Sequence, residues 1–144
     1  MELSSTQICA PTLERGNESL LSIIESPTHP RLSSLYQQLK INEHKVNSVR
    51  NALKLLKRKA PDFIVAEFFY GYGNNYAGVH ISNLDVLLAS LPKYAPHAKV
   101  IIFVSRPEYQ YVEQLNSIYP LHGVLQHPVR QNELEVLLNP GSSD

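Results

Sequence analysis

The stretch Lys99-Val-Ile-Ile-Phe-Val104 decides the fold of this 144-residue chain. Its five consecutive apolar residues favour a strand that is buried on both faces, because a half-exposed strand would alternate apolar and polar residues. A second apolar strand is predicted at Phe63–Phe68. Strands of this kind belong to parallel sheets that are covered by helices on both sides, so an α/β fold is expected.

Helix-like and strand-like segments alternate on either side of these two strands. The predicted strands are Leu20–Glu25, Ile41–Val46, Phe63–Phe68, Lys99–Val104 and Gly123–Gln126. The predicted helices are Pro30–Lys40, Val49–Lys59, Val79–Leu91 with Ser82 as a candidate cap, Pro107–Tyr119 and Arg130–Leu138. This order predicts a flavodoxin-like (βα)5 three-layer sandwich with a parallel sheet in 2-1-3-4-5 order. Such a sheet brings the carboxyl ends of strands one and three together, so we expect the functional site there.

The composition describes one ordinary domain. Residues 1–18 and 139–144 lack periodicity and predict a flexible lead and a flexible tail around a domain at 19–138. Zero net charge argues against a nucleic-acid binder, and the single cysteine, Cys9, excludes a disulfide framework. No apolar run approaches the roughly 20 residues of a membrane-spanning helix, and no signal-peptide pattern is visible. A cytoplasmic protein without a membrane partner is expected.

Four stretches resemble, in order, the receiver domain of two-component response regulators, the CheY-like family. They read Asn51-Ala-Leu-Lys-Leu-Leu-Lys-Arg-Lys-Ala-Pro-Asp62, Phe63-Ile-Val-Ala-Glu67, Val100-Ile-Ile-Phe-Val-Ser105 and Gly123-Val-Leu-Gln-His-Pro128. They correspond to the second helix and its exit, and to the third, fourth and fifth strands of that family. The resemblance spans residues 20–138 and implies a signalling domain that is not an enzyme. It leaves no room for an output domain, so a stand-alone protein is expected.

The resemblance also implies a phosphorylation pocket, from which this chain departs. Receivers hold Mg²⁺ with an acidic pair after strand one and with an Asp after strand three, which accepts the phosphoryl group. They also use a Lys after strand five. The residues of this chain at the pocket positions are Glu25, Ser26, Glu67, Ser105, His127 and Pro128. Only the serine after strand four and the proline keep the type that the family pattern expects.

The substitutions in this pocket weaken its chemistry. Ser26 brings no charge to a Mg²⁺ site, which prefers hard oxygen ligands. Glu67 is one methylene longer than Asp, and a misplacement of about 1 Å can cost roughly a hundredfold in rate. The imidazole of His127 is a weaker base than a lysine amine. We therefore predict a degenerate receiver pocket without conventional phosphorylation, without a metal and without a cofactor.

Other functions of the pocket stay open at this point. A receiver could still phosphorylate itself on an unusual acceptor, and divalent-metal affinity would discriminate that function. A small molecule could bind at the long loop beside the switch point. Glu25, Glu67 and His127 could also ligate Zn²⁺ or Mn²⁺ if they converge. A relic pocket that is closed by its own hydrogen bonds is the preferred interpretation over a metal site.

Contact with a protein partner is the mode of action that the resemblance implies. The partner would be a signalling protein, such as a histidine kinase or an effector, and a homodimer is an alternative. Family members often dock through helix four, strand five and helix five. The candidates on that face are Tyr109, Tyr111, Val112, Leu115, Val124, Leu125 and Leu134. The Tyr- and Gly-rich loop 68–78 adds Tyr70, Tyr72 and Tyr76, which either seal the pocket or bind a partner.

A basic stretch lies around the second helix. Residues 40–59 hold seven Lys or Arg and one acid, Glu43. Such runs are usually solvated helix faces, which is the first interpretation, and a docking face for an acidic protein is the second. DNA binding is not expected because no recognition-helix module accompanies the stretch.

Overall fold

The fold is one five-stranded sheet between two layers of helices. A computed structural model of the protein describes residues 18–27, 30–70 and 82–138. The strands are β1 (Ser19–Ile23), β2 (Asn42–Val46), β3 (Phe63–Glu67), β4 (Lys99–Val104) and β5 (Gly123–Gln126). All neighbouring pairs are parallel, and the strand order is β2-β1-β3-β4-β5. The predicted fold class and strand order are confirmed.

The described ranges contain five α-helices, of which four lie between successive strands and the fifth follows β5. They are α1 (Ser33–Gln38), α2 (Val49–Leu56), α3 (Asp85–Tyr94), α4 (Tyr109–Val112) and α5 (Gln131–Leu138). The ends of α1, α2, α5 and the strands differ from the predicted bounds by up to three residues. Larger differences occur at α3 and α4, where local side-chain chemistry decides the bounds.

The segment after β4 is not the continuous helix that was predicted over Pro107–Tyr119. The helix α4 forms a single turn between the 3-10 segments Arg106–Glu108 and Glu113–Ser117. The Ser117 hydroxyl bonds the Gln114 carbonyl at 2.8 Å, and such local bonds compete with regular helix.

The helix α3 begins after a turn that Ser82 organises. The Ser82 hydroxyl accepts a hydrogen bond from the Leu84 N–H at 3.0 Å and donates one to Asp85 Oδ1 at 3.1 Å. Ser82 therefore shapes the turn before the helix but is not its N-cap residue, which is Leu84. At its other end α3 continues past the predicted Leu91 and includes Pro92 in its last turn.

Two hydrophobic cores lie on the two faces of the sheet. Alternate residues of the central strands point to opposite faces, as the period of a strand requires. Ile64 and Ile102 belong to the core under α2, α3 and α4, whereas Val65 and Phe103 belong to the core under α1 and α5. Every residue of β3 is buried, so the carboxylate at its end has to be accommodated in the interior.

Several predictions concern residues outside the described ranges. The lead at 1–17 with Cys9, most of the loop with Tyr72 and Tyr76, and the tail at 139–144 are among them. Within the described ranges, no helix combines the length and the apolar character that crossing a membrane requires.

Candidate functional site

Glu67 ends β3 at the centre of the sheet and has only 1% of its surface exposed. Its Oε2 accepts a hydrogen bond from the backbone N–H of Glu25 at 3.1 Å. Its Oε1 accepts a short hydrogen bond from the Ser26 hydroxyl. Both donors belong to the loop that follows β1. The pairing of β1 with β3 therefore brings together the three residues that the sequence placed at this site.

Glu25 lies beside this buried carboxylate and is half-buried. Its Oε1 accepts a hydrogen bond from Asn83 Nδ2 at 2.8 Å. Burial raises the pKa of Glu25 above its ordinary value, the hydrogen bond from Asn83 opposes this shift, and the negative charge of Glu67 adds to it. The cluster therefore holds two carboxyl groups in a partly desolvated place.

Asn83 is the residue of this cluster that sequence reasoning missed. Besides Glu25, its Nδ2 donates to the backbone carbonyl of Glu67 at 2.9 Å. Its Oδ1 accepts from the Phe69 N–H at 2.8 Å, and its own N–H donates to the Phe69 carbonyl at 3.2 Å. One side chain thus joins the loop after β1, the exit of β3 and the start of α3. An Asn just before a helical pattern is a typical capping residue, and that signal could have drawn attention to it.

The other predicted pocket residues stand at the ends of neighbouring strands. Ser105 follows β4, and its carbonyl accepts from the Glu108 N–H at 3.1 Å. The His127 N–H donates to the Val104 carbonyl at 2.9 Å, and its ring meets Phe103 edge-on with centroids 6.2 Å apart. Pro128 follows through a cis peptide bond. The backbone therefore positions these residues, whereas the side-chain cluster consists of Glu25, Ser26, Glu67 and Asn83.

A shared metal site would need several His, Cys, Asp or Glu side chains to converge on one point. Within the described ranges, no group of three His, Cys, Asp or Glu side chains lies close enough to hold an ion. The alternative in which Glu25, Glu67 and His127 converge on Zn²⁺ or Mn²⁺ is therefore not supported by the placement of these three residues.

An aromatic pair borders the cluster. Tyr70 follows the exit of β3, and its ring stacks on Tyr111 of α4 with centroids 3.8 Å apart and planes 13° apart. Tyr70 is 45% exposed and Tyr109 is 47% exposed. A cavity of about 400 Å³, bordered by Glu25, Phe69 and Tyr70, lies beside the pair. Tyr70 thus presents a partly exposed ring to solvent next to the cluster.

The predicted docking face on α4, β5 and α5 needs correction. Val112, Leu115 and Leu134 have at most 2% of their surface exposed, because they pack into the two cores beneath α4, the following 3-10 segment and α5. A partner cannot reach these three side chains. Val124 and Leu125 are half-buried on β5. Of that predicted face, Tyr109 remains the most accessible aromatic side chain.

Comparisons with known proteins agree with this geometry. No family model matches the chain, and no curated protein sequence matches it. The receiver domain of the Francisella response regulator 1452 superposes with a TM-score of 0.63 at 20% identity, over 85% of this chain and 94% of that one. The chain has the receiver fold. A response regulator receiver domain from Clostridium thermocellum has a TM-score of 0.62 at 18% identity, over 85% of this chain and 91% of that one.

A protein of a different name has the same fold. An adenylate cyclase structure from Rhodopirellula baltica superposes with a TM-score of 0.64 at 13% identity, over 87% of each chain. At such identities the likeness concerns the fold, and several functions can share one fold. The function of this chain therefore has to be inferred from its own residues at the ends of β1 and β3.

Replacement of Asn83 by Ala tests its role as the link of the cluster. The change leaves the Phe69 N–H and the Glu25 carboxylate without their partner, so we expect a loss of about 1–3 kcal/mol in the free energy of unfolding. Chemical denaturation measures it. Asn132→Ala on the exposed side of α5 is the control, with an effect within about 0.5 kcal/mol. Equal stability of the two variants would contradict the role of Asn83.

The titration of Glu25 tests the electrostatics of the cluster. The folded protein holds the pKa of Glu25 above 4.5. The stability that Glu25 contributes is therefore fully present below pH 4.5 and is lost as the pH rises through the raised pKa. We expect Glu67→Gln to lower this pKa, because it removes a neighbouring charge, and Asn83→Ala to raise it, because it removes a donor. Carbon-detected NMR of the Glu25 carboxyl group measures both shifts, and shifts of the same sign would refute the assignment.

Proposed function

We propose that this protein is an atypical receiver that acts in signal transduction by contact with a protein partner and without conventional phosphorylation. The receiver fold supports the signalling role. The observation that carries the proposal is the burial and hydrogen bonding of Glu67, which stands at the position that the resemblance assigns to the phosphoacceptor. Both of its carboxylate oxygens accept hydrogen bonds from the loop after β1, and its side chain is buried.

A phosphoacceptor needs a free oxygen directed at the donor and a metal that offsets the charge of the phosphoryl group. Here the Glu25 N–H and the Ser26 hydroxyl approach the two oxygens of Glu67. The Asn83 amide in turn approaches the Glu25 carboxylate. Hydrogen-bond donors thus already approach both oxygens of Glu67 and one oxygen of Glu25. The pocket satisfies its own charges, which supports a structural role for it.

The same contacts favour one arrangement of the surface around the pocket. Phe69 and Tyr70 are the second and third residues after Glu67, and Asn83 hydrogen-bonds both the N–H and the carbonyl of Phe69. Tyr70 in turn stacks on Tyr111. Exposed tyrosines are frequent anchors at protein interfaces. We infer that the surface of Tyr70 and Tyr109 contacts the partner, which would be a signalling protein such as a histidine kinase or an effector.

A second candidate function is the binding of a small molecule. It is favoured by the cavity of about 400 Å³ beside Glu25, Phe69 and Tyr70, which lies at the switch point of the sheet. The visible absorbance of the purified protein would reveal a flavin there.

Treatment with a small phosphodonor and Mg²⁺ tests the proposed loss of phosphorylation. We expect the intact mass of the protein to stay unchanged, because the oxygens of Glu67 are buried and hydrogen-bonded. A conventional receiver treated in parallel shows that the donor is active. A stable phosphoryl addition on Glu67, together with measurable Mg²⁺ affinity, would establish the alternative of an unusual acceptor.

Truncation of the exposed tyrosines tests the proposed contact surface. A partner captured from the native cell by the wild-type protein should bind Tyr70→Ala and Tyr109→Ala about tenfold or more weakly, since loss of an aromatic anchor often costs on the order of 2 kcal/mol. Val86→Ala is the control, because Val86 is an apolar residue on α3 with 52% exposure. Calorimetry with the purified partner measures the affinities. Unchanged affinity of both tyrosine variants would exclude this surface.

A further inference from the structure

The zero net charge of the chain conceals a strongly basic edge of the sheet. Seven cationic side chains surround the edge strand β2, and all seven are exposed. They lie on the turn before β2, on β2 itself, on α2 and directly after α2. The members of this basic edge are Lys40, Lys45, Arg50, Lys54, Lys57, Arg58 and Lys59.

The packing of α2 forces its cations outward. Ala52 and Leu56 are buried on the inner face of the helix, beneath which the first core lies. Arg50, Lys54 and Lys57 are spaced by four and three residues, so they share the opposite face. Like charges at this spacing repel one another by a few tenths of a kcal/mol for each pair. The repulsion among these cations therefore lowers the free energy of unfolding by a small amount.

The acid in the middle of this stretch does not neutralise it. Glu43 directs its carboxylate at the hydroxyls of Ser22 and Ser33, with distances of 2.8 and 2.7 Å. Among the residues that the structure describes, no carboxylate forms an ion pair with any of the seven cations. Within the described ranges, the basic edge therefore presents exposed positive charge that a partner could contact.

The opposite edge of the sheet is acidic. The strand β5 forms that edge, and α4 and α5 lie around it. Four carboxylates stand on these helices and on the adjoining 3-10 segments, against the two cations Arg106 and Arg130. The members of this acidic edge are Glu108, Glu113, Glu133 and Glu135, of which the last three are exposed. Positive and negative charge are thus separated across the width of the sheet.

We propose that a second copy of this chain docks head-to-tail, with the acidic edge of one copy on the basic edge of the next. Charge complementarity between the two edges supports this arrangement. A symmetric dimer through α4, β5 and α5 would instead bring two acidic edges together, which is repulsive. A head-to-tail contact leaves one edge of each kind unused, so further copies can add.

The proposed contact is separate from the function of the receiver pocket. It uses residues on the two edges of the sheet and none of the cluster around Glu67. Its failure would leave the proposed signalling role untouched. Because the charges are exposed, the contact should weaken as salt screens them over about 10 Å at 0.1 M.

Charge reversal on each edge tests the proposal. Sedimentation velocity at low salt should show the mass of the wild-type protein rising with concentration and falling when salt is added. Lys54→Glu/Lys57→Glu and Glu133→Lys/Glu135→Lys should each lower the association constant at least about tenfold, which is 1.4 kcal/mol or more. An equimolar mixture of the two variants should restore association, because the unchanged acidic edge of the first variant then meets the unchanged basic edge of the second.

Lys93→Glu/Lys99→Glu is the matched control. Both residues are exposed and lie outside the two edges, and the change alters the net charge as much as Lys54→Glu/Lys57→Glu does. We expect this control to associate like the wild type. Three outcomes would overturn the proposal: a wild-type protein that stays monomeric, full association of the Glu133→Lys/Glu135→Lys variant, or a control that loses association. A monomeric wild type that binds DNA through the basic edge would assign that edge to nucleic acid instead.

Discussion

The buried carboxylate of Glu67 is the constraint around which the carboxyl edge of the sheet is arranged. An ionised group in the interior is costly unless hydrogen bonds satisfy it. The Glu25 N–H and the Ser26 hydroxyl supply those bonds, and they order the loop after β1. Asn83 extends the network to Phe69 and to the start of α3. The site thus connects the loop after β1, the exit of β3 and the start of α3.

This arrangement links the substitutions of the pocket to each other. An Asp has a shorter reach than Glu67, and a second acid in place of Ser26 would add charge instead of a donor. The longer carboxylate and the shorter hydroxyl therefore fit together as acceptor and donor. A carboxylate at the surface is used in a similar way. Glu43 accepts hydrogen bonds from two hydroxyls, and among the described residues it forms no ion pair with the cations of the basic edge. Glu67 and Glu43 thus both use their carboxylates to accept hydrogen bonds from within the chain.

Sequence reasoning succeeded wherever one local pattern decides the structure. The apolar runs of β3 and β4 predicted central buried strands, and the alternation of elements predicted the 2-1-3-4-5 order. It was less accurate where side chains compete with regular backbone bonds, as Ser117 does after α4. It was wrong about Val112, Leu115 and Leu134 as contact residues. Apolar residues on an amphipathic helix face the core, and only packing shows how much of each remains exposed.

The sequence by itself determined the fold class, the position of Glu67 at the end of β3 and the basic character of residues 40–59. These features depend on periodicity and on residue type, which are local properties. Only the tertiary structure decided that Asn83 reaches Glu25 across 58 positions of the chain. It also decided that the basic and acidic residues lie on opposite edges of the sheet. Both depend on which segments the fold brings together. The order of residues along the chain does not show how far apart two distant residues lie in space.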